Sequence, residues 1–316
     1  MSMQRRQMLL AAAALPVLTQ AQSVPVRILV GAPAGGSTDT LARSLASELG
    51  SLLNRTVIVE NRSGAGGNIA AEVVAKSIPD GNTLLLSFTS HAINASLYAN
   101  LPFDPVRDFT PLTCVATSPS VLVAHPSLPV NNVRELIALA REKPGKLNFA
   151  IGALGSSLHL AGELFKMQAG VYIVNIPYRG TAPAIADVLA GQVELMFAAI
   201  GNAQSHVRAG KLKALGVTSL HSISAFPDVA PIAQVLPAYE SSAWFGLFGP
   251  ARMSPDLVSR ISEATRRAID SPQVRRRIEA EGARVVANSP EEFGLFVQSE
   301  IKRWARVVRY SGAQAT

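Results

Sequence analysis

Four stretches of the chain combine glycine with hydroxyl side chains in a pattern that lets a backbone grip a small anion. They are Ala34-Gly35-Gly36-Ser37-Thr38-Asp39, Thr89-Ser90-His91, Gly152-Ala153-Leu154-Gly155-Ser156-Ser157-Leu158-His159 and Tyr178-Arg179-Gly180-Thr181. Glycine has no Cβ, so its neighbours' N–H groups can approach a ligand oxygen closely. A helix starting just after such a turn adds positive partial charge and free amides at its N-terminus. Serine and threonine hydroxyls supply further donors. The stretches contain no lysine, and the nearby acids Asp39, Asp80, Glu163 and Asp187 fall singly. This donor set suits a small carboxylate better than a triphosphate or a metal ion.

Other chemistries lack their parts. The first stretch has neither the lysine nor the spacing of a phosphate-binding P-loop. In Gly64-Ala65-Gly66-Gly67-Asn68-Ile69-Ala70, Ile69 stands where a dinucleotide fingerprint needs its third glycine, so tight turn packing is the better account. Ser156 and His159 share one helical turn and do not form a Gly-x-Ser-x-Gly elbow, which makes His159 a capping or packing histidine before a base. No His or carboxylate pair has metal-ligand spacing. The single cysteine, Cys114, sits in an apolar strand-like run with no cation or helix start beside it, so it reads as an inert buried thiol. No catalytic residue, cofactor or metal is expected.

The stretches must be positioned by the elements around them. Short β-branched runs alternate with helical spacing, which is the pattern of sheets covered by helices. Strands are expected over Val26–Val30, Thr56–Glu60, Thr83–Phe88, Leu147–Ile151, Ile173–Ile176, Glu194–Phe197 and Ala214–Val217, with connecting runs at Val121–Pro126 and Trp244–Phe248. In a parallel sheet the loops that follow such strands gather along one edge, where ligands bind. Ser254-Pro255, Ser271-Pro272 and Ser289-Pro290 each read as an N-cap followed by proline in the first turn of a C-terminal helix. The fold class is therefore α/β, with two lobes and a cleft between them. The expected boundaries are 24–123 for the first lobe, 124–222 for the second, and 223–316 for a return to the first.

Residues 1–21 carry Arg5-Arg6, an apolar run from Met8 to Leu18 and small residues near Ala21, the pattern of an export signal cleaved near Ala21. The apolar run is too short to span a bilayer, which needs roughly 20 residues. The paired arginines fit either a twin-arginine or an ordinary secretory route. The whole chain has 29 Lys plus Arg and 22 Asp plus Glu; setting aside residues 1–21, with two arginines and no acid, leaves 27 basic against 22 acidic residues and a charge of +5. A mild positive balance suits an anionic ligand. The basic residues do not gather with aromatics into one patch, which argues against nucleic acid.

In order along the chain, Gly35-Gly36-Ser37-Thr38-Asp39, Val59-Glu60-Asn61-Arg62-Ser63-Gly64-Ala65-Gly66-Gly67-Asn68, Pro79-Asp80-Gly81, Leu101-Pro102-Phe103-Asp104, Lys143-Pro144-Gly145-Lys146-Leu147-Asn148, Gly155-Ser156-Ser157-Leu158-His159-Leu160, Pro177-Tyr178-Arg179-Gly180 and Trp244-Phe245-Gly246-Leu247-Phe248 resemble the tripartite tricarboxylate transporter receptors, also called Bug receptors. The resemblance covers essentially all of the chain after residue 21. It implies a type II periplasmic binding fold whose two lobes close on a small carboxylate or an amide relative. It also implies a monomeric periplasmic receptor that serves a membrane permease or, alternatively, presents its closed form to a membrane signalling protein. Ligand contacts carried over from the resemblance are the stretches named above together with Ala198, which follows Met196-Phe197 where many relatives have Asp. The turn Gly31-Ala32-Pro33-Ala34 also departs from the common pattern, so the identity of the acid is not inherited.

Overall fold

Each apolar run becomes a strand because its side chains find a covering helix on both faces. The computed structural model describes residues 24–315, so the expected export signal lies outside the described residues. The first half supplies β1 (Val26–Val30), α1 (Ser37–Leu53), β2 (Val57–Asn61), α2 (Asn68–Ala75), β3 (Thr83–Phe88), α3 (Ser90–Leu97) and β4 (Phe109–Ser118). A second set follows: β5 (Ser120–Ala124), α4 (Val133–Glu142), β6 (Asn148–Ile151), α5 (Ser157–Ala169), β7 (Val174–Pro177), α6 (Thr181–Leu189), β8 (Leu195–Ala199), α7 (Ile200–Arg208) and β9 (Lys213–Val217). The chain ends with β10 (Ala243–Pro250), α8 (Pro255–Asp270), α9 (Pro272–Ala280), β11 (Arg284–Val285) and α10 (Pro290–Ser311).

Two sheets result, ordered β11-β4-β10-β3-β1-β2 and β7-β6-β8-β5-β9. In the first, β1 is parallel to β2 and β3, while β10 runs antiparallel to β3 and β4. The C-terminal ends of β1, β3 and β4 therefore share one edge. In the second, β6 is parallel to β7 and β8, and β5 is antiparallel to β8 and β9. Only Pro119 separates β4 from β5, so the edge at the C-terminal ends of β1 and β3 is brought against the edge at the C-terminal ends of β6 and β8.

The return crossing lies beside the outgoing one. Ser120 N–H donates to Thr218 Oγ1 at 2.8 Å, Thr218 N–H to Ser120 O at 2.9 Å, and Ser241 N–H to Thr218 O at 3.0 Å. The change of sheet thus falls at Pro119 and near Ser241, not at the boundaries 123 and 222 expected from sequence. Thr117-Ser118-Pro119-Ser120 interrupts the apolar run between β4 and β5, but pattern alone does not show that the chain changes sheets there. The later offset has its own cause. Tyr239 is still packed on the second sheet's helices, where its hydroxyl donates to Ala161 O at 2.9 Å.

Apolar packing joins the two units. One buried cluster includes Trp244, Phe248, Phe293 and Trp304 under α10 and continues through Phe149, Phe165 and Phe197 of the second sheet. Within it, the indole N–H groups of Trp244 and Trp304 both donate to the Glu300 carboxylate, at 3.1 and 2.9 Å, and Arg303 pairs with it at 2.8 Å. Burial raises the Glu300 pKa, and these partners oppose the rise. The three C-terminal Ser-Pro signals all cap as expected, with Ser254, Ser271 and Ser289 accepting from Leu257, Val274 and Glu292 N–H. Cys114 is buried in β4 and its thiol pKa is pushed up to about 12 by desolvation. Among the described residues no helix is long and apolar enough to cross a membrane.

Packing of α10 on β10 depends on one absent side chain: a Cβ at Gly246 would lie 2.1 Å from Phe293 Cζ. Gly246→Ala is expected to destabilise the protein by about 1–3 kcal/mol through overpacking, read as a lowered midpoint in urea unfolding.

Candidate ligand site between the two sheets

The loops leading into α1 and α5 are built alike. In the first, Gly35 has φ +83°, Gly36 is the N-cap and α1 begins at Ser37. In the second, Gly155 has φ +73°, Ser156 is the N-cap and α5 begins at Ser157. The left-handed turn is what glycine permits at little steric cost. In both loops the third helical residue reaches back over this turn. Gly35 N–H donates to Asp39 Oδ2 at 2.9 Å, and Gly155 N–H donates to His159 Nδ1 at 3.0 Å.

These back-bonds fix which donors are left for a ligand. The amides of Ser37, Thr38, Ser157 and Leu158 occupy the first turn of their helices, where no intrahelical acceptor exists. The Ser157 hydroxyl has no hydrogen bond among the described residues, whereas Ser156 Oγ is engaged on both sides. It accepts from His159 N–H at 3.2 Å and donates to Ala153 O at 2.8 Å. The Ser37 hydroxyl donates to Glu281 Oε2 at 3.0 Å, at the end of α9.

Asp39 and His159, both expected as ligand contacts, are thereby buried supports of their loops. Burial alone would raise the Asp39 pKa. Hydrogen bonds from Arg43, Gly35 and Asn61 outweigh it and hold the carboxylate below its usual range. His159 has a deeper scaffold. Its Nε2 lies 3.5 Å from Glu163 Oε1, which pairs with Lys166 Nζ at 2.5 Å and accepts from Asn175 Nδ2 at 2.6 Å. Burial opposes ionisation of Glu163, yet His159, Asn175 and Lys166 together bring its pKa down to about 2. Sequence reading saw Glu163 as an isolated acid. The spacing of His159, Glu163 and Lys166 at one helix turn apart was the available signal.

The remaining expected residues divide. Ala34, Gly35 and Gly36 are exposed at the edge of the first sheet, Thr38 is buried beneath them, and Ser90 is half-buried at the start of α3. The loop of Gly180 and Thr181 lies against the second: Gly180 N–H donates to Gly152 O at 2.8 Å. Arg179 is exposed there with no acidic partner among the described residues, and Thr181 opens α6. The Tyr178 hydroxyl turns back to donate to Asp187 Oδ2 at 2.7 Å, and desolvation together with that carboxylate pushes its pKa up to about 12.

Thr89, His91 and Ala198 face the interior. Thr89 Oγ1 accepts from Trp244 N–H at 2.8 Å, bracing β10 against α3. His91 stacks on Phe248 with ring centres 4.8 Å apart, meets Phe109 edge-on, and donates through Nε2 to Pro105 O at 2.8 Å. Ala198 is 0% exposed in the cluster formed by Val121, Val123 and Met196. Thr89 and His91 turn inward at the start of α3, and the register of β8 with β5 turns Ala198 inward.

The two edges touch at α3, where Gly155 meets the Leu97 side chain, and again where Ile200 at the start of α7 meets Gly282. Beside the second contact a cavity of ≈ 690 Å³ opens between the sheets, with Thr117, Arg208, Glu240 and Arg284 among its lining residues. Those residues come from separate segments, and no sequence motif pointed to them. Among the described residues no His, Cys, Asp and Glu group could hold a metal ion.

Comparison with known proteins bears on what such a pair of loops serves. Residues 41–313 match the model of the tripartite tricarboxylate transporter family receptor. The chain belongs to this receptor family. Protein BugT of Bordetella pertussis is 38% identical over 293 residues, covering 92% of this chain and 90% of its own length. Two solved structures share the fold. An R. palustris protein with adipate has TM-score 0.77 and 34% identity, covering 92% of this chain and 98% of that one. MatC of Rhodopseudomonas palustris with bound malate has TM-score 0.74 and 33% identity, covering 90% and 99%. As a tripartite tricarboxylate transporter family receptor with the two-lobe α/β fold of periplasmic binding proteins, the chain is a solute-binding protein and not an enzyme.

The burial of His91 gives a stability signature. Desolvation lowers its pKa to about 4, only partly opposed by the Pro105 hydrogen bond, so the folded state resists a proton that the unfolded state accepts. Stability present above pH 6.5 is therefore lost as pH falls from 6.5 toward 4, by about 3 kcal/mol in total. Urea unfolding across this range is expected to show that loss in the wild type and a shallower one in His91→Phe.

Proposed function

We propose that the protein is a periplasmic receptor that captures a small carboxylate between the helix starts at Ser37–Thr38 and Ser157–Leu158, with Arg179, Gly180 and Thr181 completing the second edge. The observation that carries this reading is the matched pair of back-bonded loops. Each holds a glycine turn rigid and leaves first-turn amides unpaired, on edges that the Pro119 crossing sets side by side. A carboxylate has two oxygens with several lone pairs and can accept from both loops at once. It would then link the sheets and favour closure, since a ligand bound by both units stabilises the arrangement that brings them together. The two relatives with malate and adipate support a carboxylate ligand.

We take residues 24–118 and 243–315 as one lobe and 120–240 as the other. On this reading residues 1–21 direct export, the receptor works as a monomer, and it hands its ligand to a membrane permease of the tripartite type. The acid itself is open to test. Native mass spectrometry of freshly purified protein, followed by calorimetry with benzoate, malate, adipate and the corresponding amides, identifies it.

Two variants locate the site. Each hydroxyl hydrogen bond to a charged oxygen contributes about 1.5–3 kcal/mol, so Ser157→Ala should weaken binding roughly tenfold or more. Gly36 has an ordinary negative φ and room for a Cβ, so Gly36→Glu should fold while placing a like charge at the site. Its expected result is loss of acid binding with the thermal midpoint nearly unchanged. A folded Gly36→Glu protein that binds acids as the wild type does would put the site elsewhere.

A further inference from the structure

We infer that His159 is the positioning residue of the second-sheet loop and that carboxylate capture requires its ring to be neutral, a conclusion that rests on reading the loops as the carboxylate site. The two loops share one construction but differ in the acceptor that closes it. In the first, Asp39 accepts the Gly35 amide as a carboxylate that Arg43 and Asn61 keep ionised. In the second, an imidazole nitrogen accepts the Gly155 amide, and it can do so only while it carries no proton.

The geometry fixes the tautomer. With Nδ1 accepting from Gly155, the proton sits on Nε2, which faces Glu163 Oε1 at 3.5 Å. Adding a second proton makes both nitrogens donors, so turning the ring over restores no acceptor. Gly155 N–H would then meet another donor at 3.0 Å, where Gly155 itself is buried next to Leu97. The turn must shift, and the amides of Ser157 and Leu158 move with it.

Other groups face the same ring. Glu163 and Lys166 are on α5, Asn175 of β7 brings its Nδ2 to 3.3 Å from Nε2 as a contact between two donors while donating to Glu163, and the Ser156 hydroxyl bonds the His159 backbone. Glu163 favours a protonated ring and Lys166 opposes it. Nε2–H already faces Glu163 in the neutral ring, so an added proton goes to Nδ1 and the bond it removes is the one from Gly155. Acidification therefore weakens the loop, and with it the ligand's second anchor.

The first readout needs no ligand. In protein labelled with ¹⁵N-glycine, the Gly155 amide resonance, assigned by its loss in Gly155→Ala, should move when the pH is lowered from 8 to 5.5. It should stay fixed in His159→Gln, whose side-chain oxygen accepts at every pH. Calorimetry then uses the tightest binder among benzoate, malate and adipate. Wild-type affinity should fall roughly tenfold or more across this range, a change of about 1.4 kcal/mol, and affinity in His159→Gln should not depend on pH. His159→Leu, with no acceptor, should bind roughly tenfold more weakly at pH 8. A Gly155 resonance that ignores pH, or that moves equally in His159→Gln, overturns the inference. Equal pH dependence of affinity in both proteins overturns the link to capture. If none of the acids binds at any pH while Gly155 still titrates with His159, the carboxylate reading falls and the positioning role stands.

Discussion

Everything at the site depends on one short hydrogen bond made twice: a side chain in the first turn of a helix holding the amide of the left-handed glycine that precedes it. Without it, a glycine turn is the most freely moving backbone in the chain. With it, the turn is tied to the helix, and the helix is tied to a sheet. The difference matters because amides bind an anion tightly only when they need not be reoriented for the purpose. Asp39 and His159 thus set the geometry of their loops from within.

The interior charges follow the same logic. Glu163, Glu300 and Asp39 are each buried, and each is surrounded by several donors in place of a single counter-ion. A buried carboxylate left with one partner would cost more in lost hydration than the pair returns. Here the donors come from different elements, so the charges also fix which elements meet. Glu300 ties α10 to β10 through Trp244, and Glu163 ties α5 to β7 through Asn175.

Much of this was legible in the sequence. The α/β alternation, the Ser-Pro helix starts, the inert Cys114 and the glycine-rich loops after strands all follow from local rules, and the structure has them where those rules put them. The inner workings of the loops were harder to see. Gly35-x-Ser37-x-Asp39 and Gly155-x-Ser157-x-His159 repeat one spacing, but Asp and His look unlike until both are recognised as hydrogen-bond acceptors. The inward placement of His91, Thr89 and Ala198 was hidden for another reason. Sequence shows that a residue is near a strand end, while the face it takes depends on register with neighbouring strands. The crossing at Pro119 was hidden because the Ser118-Pro119-Ser120 break reads as an ordinary turn in sequence, and only the partners of β4 and β5 reveal the change of sheet.

The lacing of the two crossings limits how the molecule can move. Ser120, Thr218 and Ser241 bond to one another across the outgoing and returning strands, so neither strand can slide or twist without the other. Two antiparallel connectors pinned through Thr218 resist twisting of one past the other more than bending of both together.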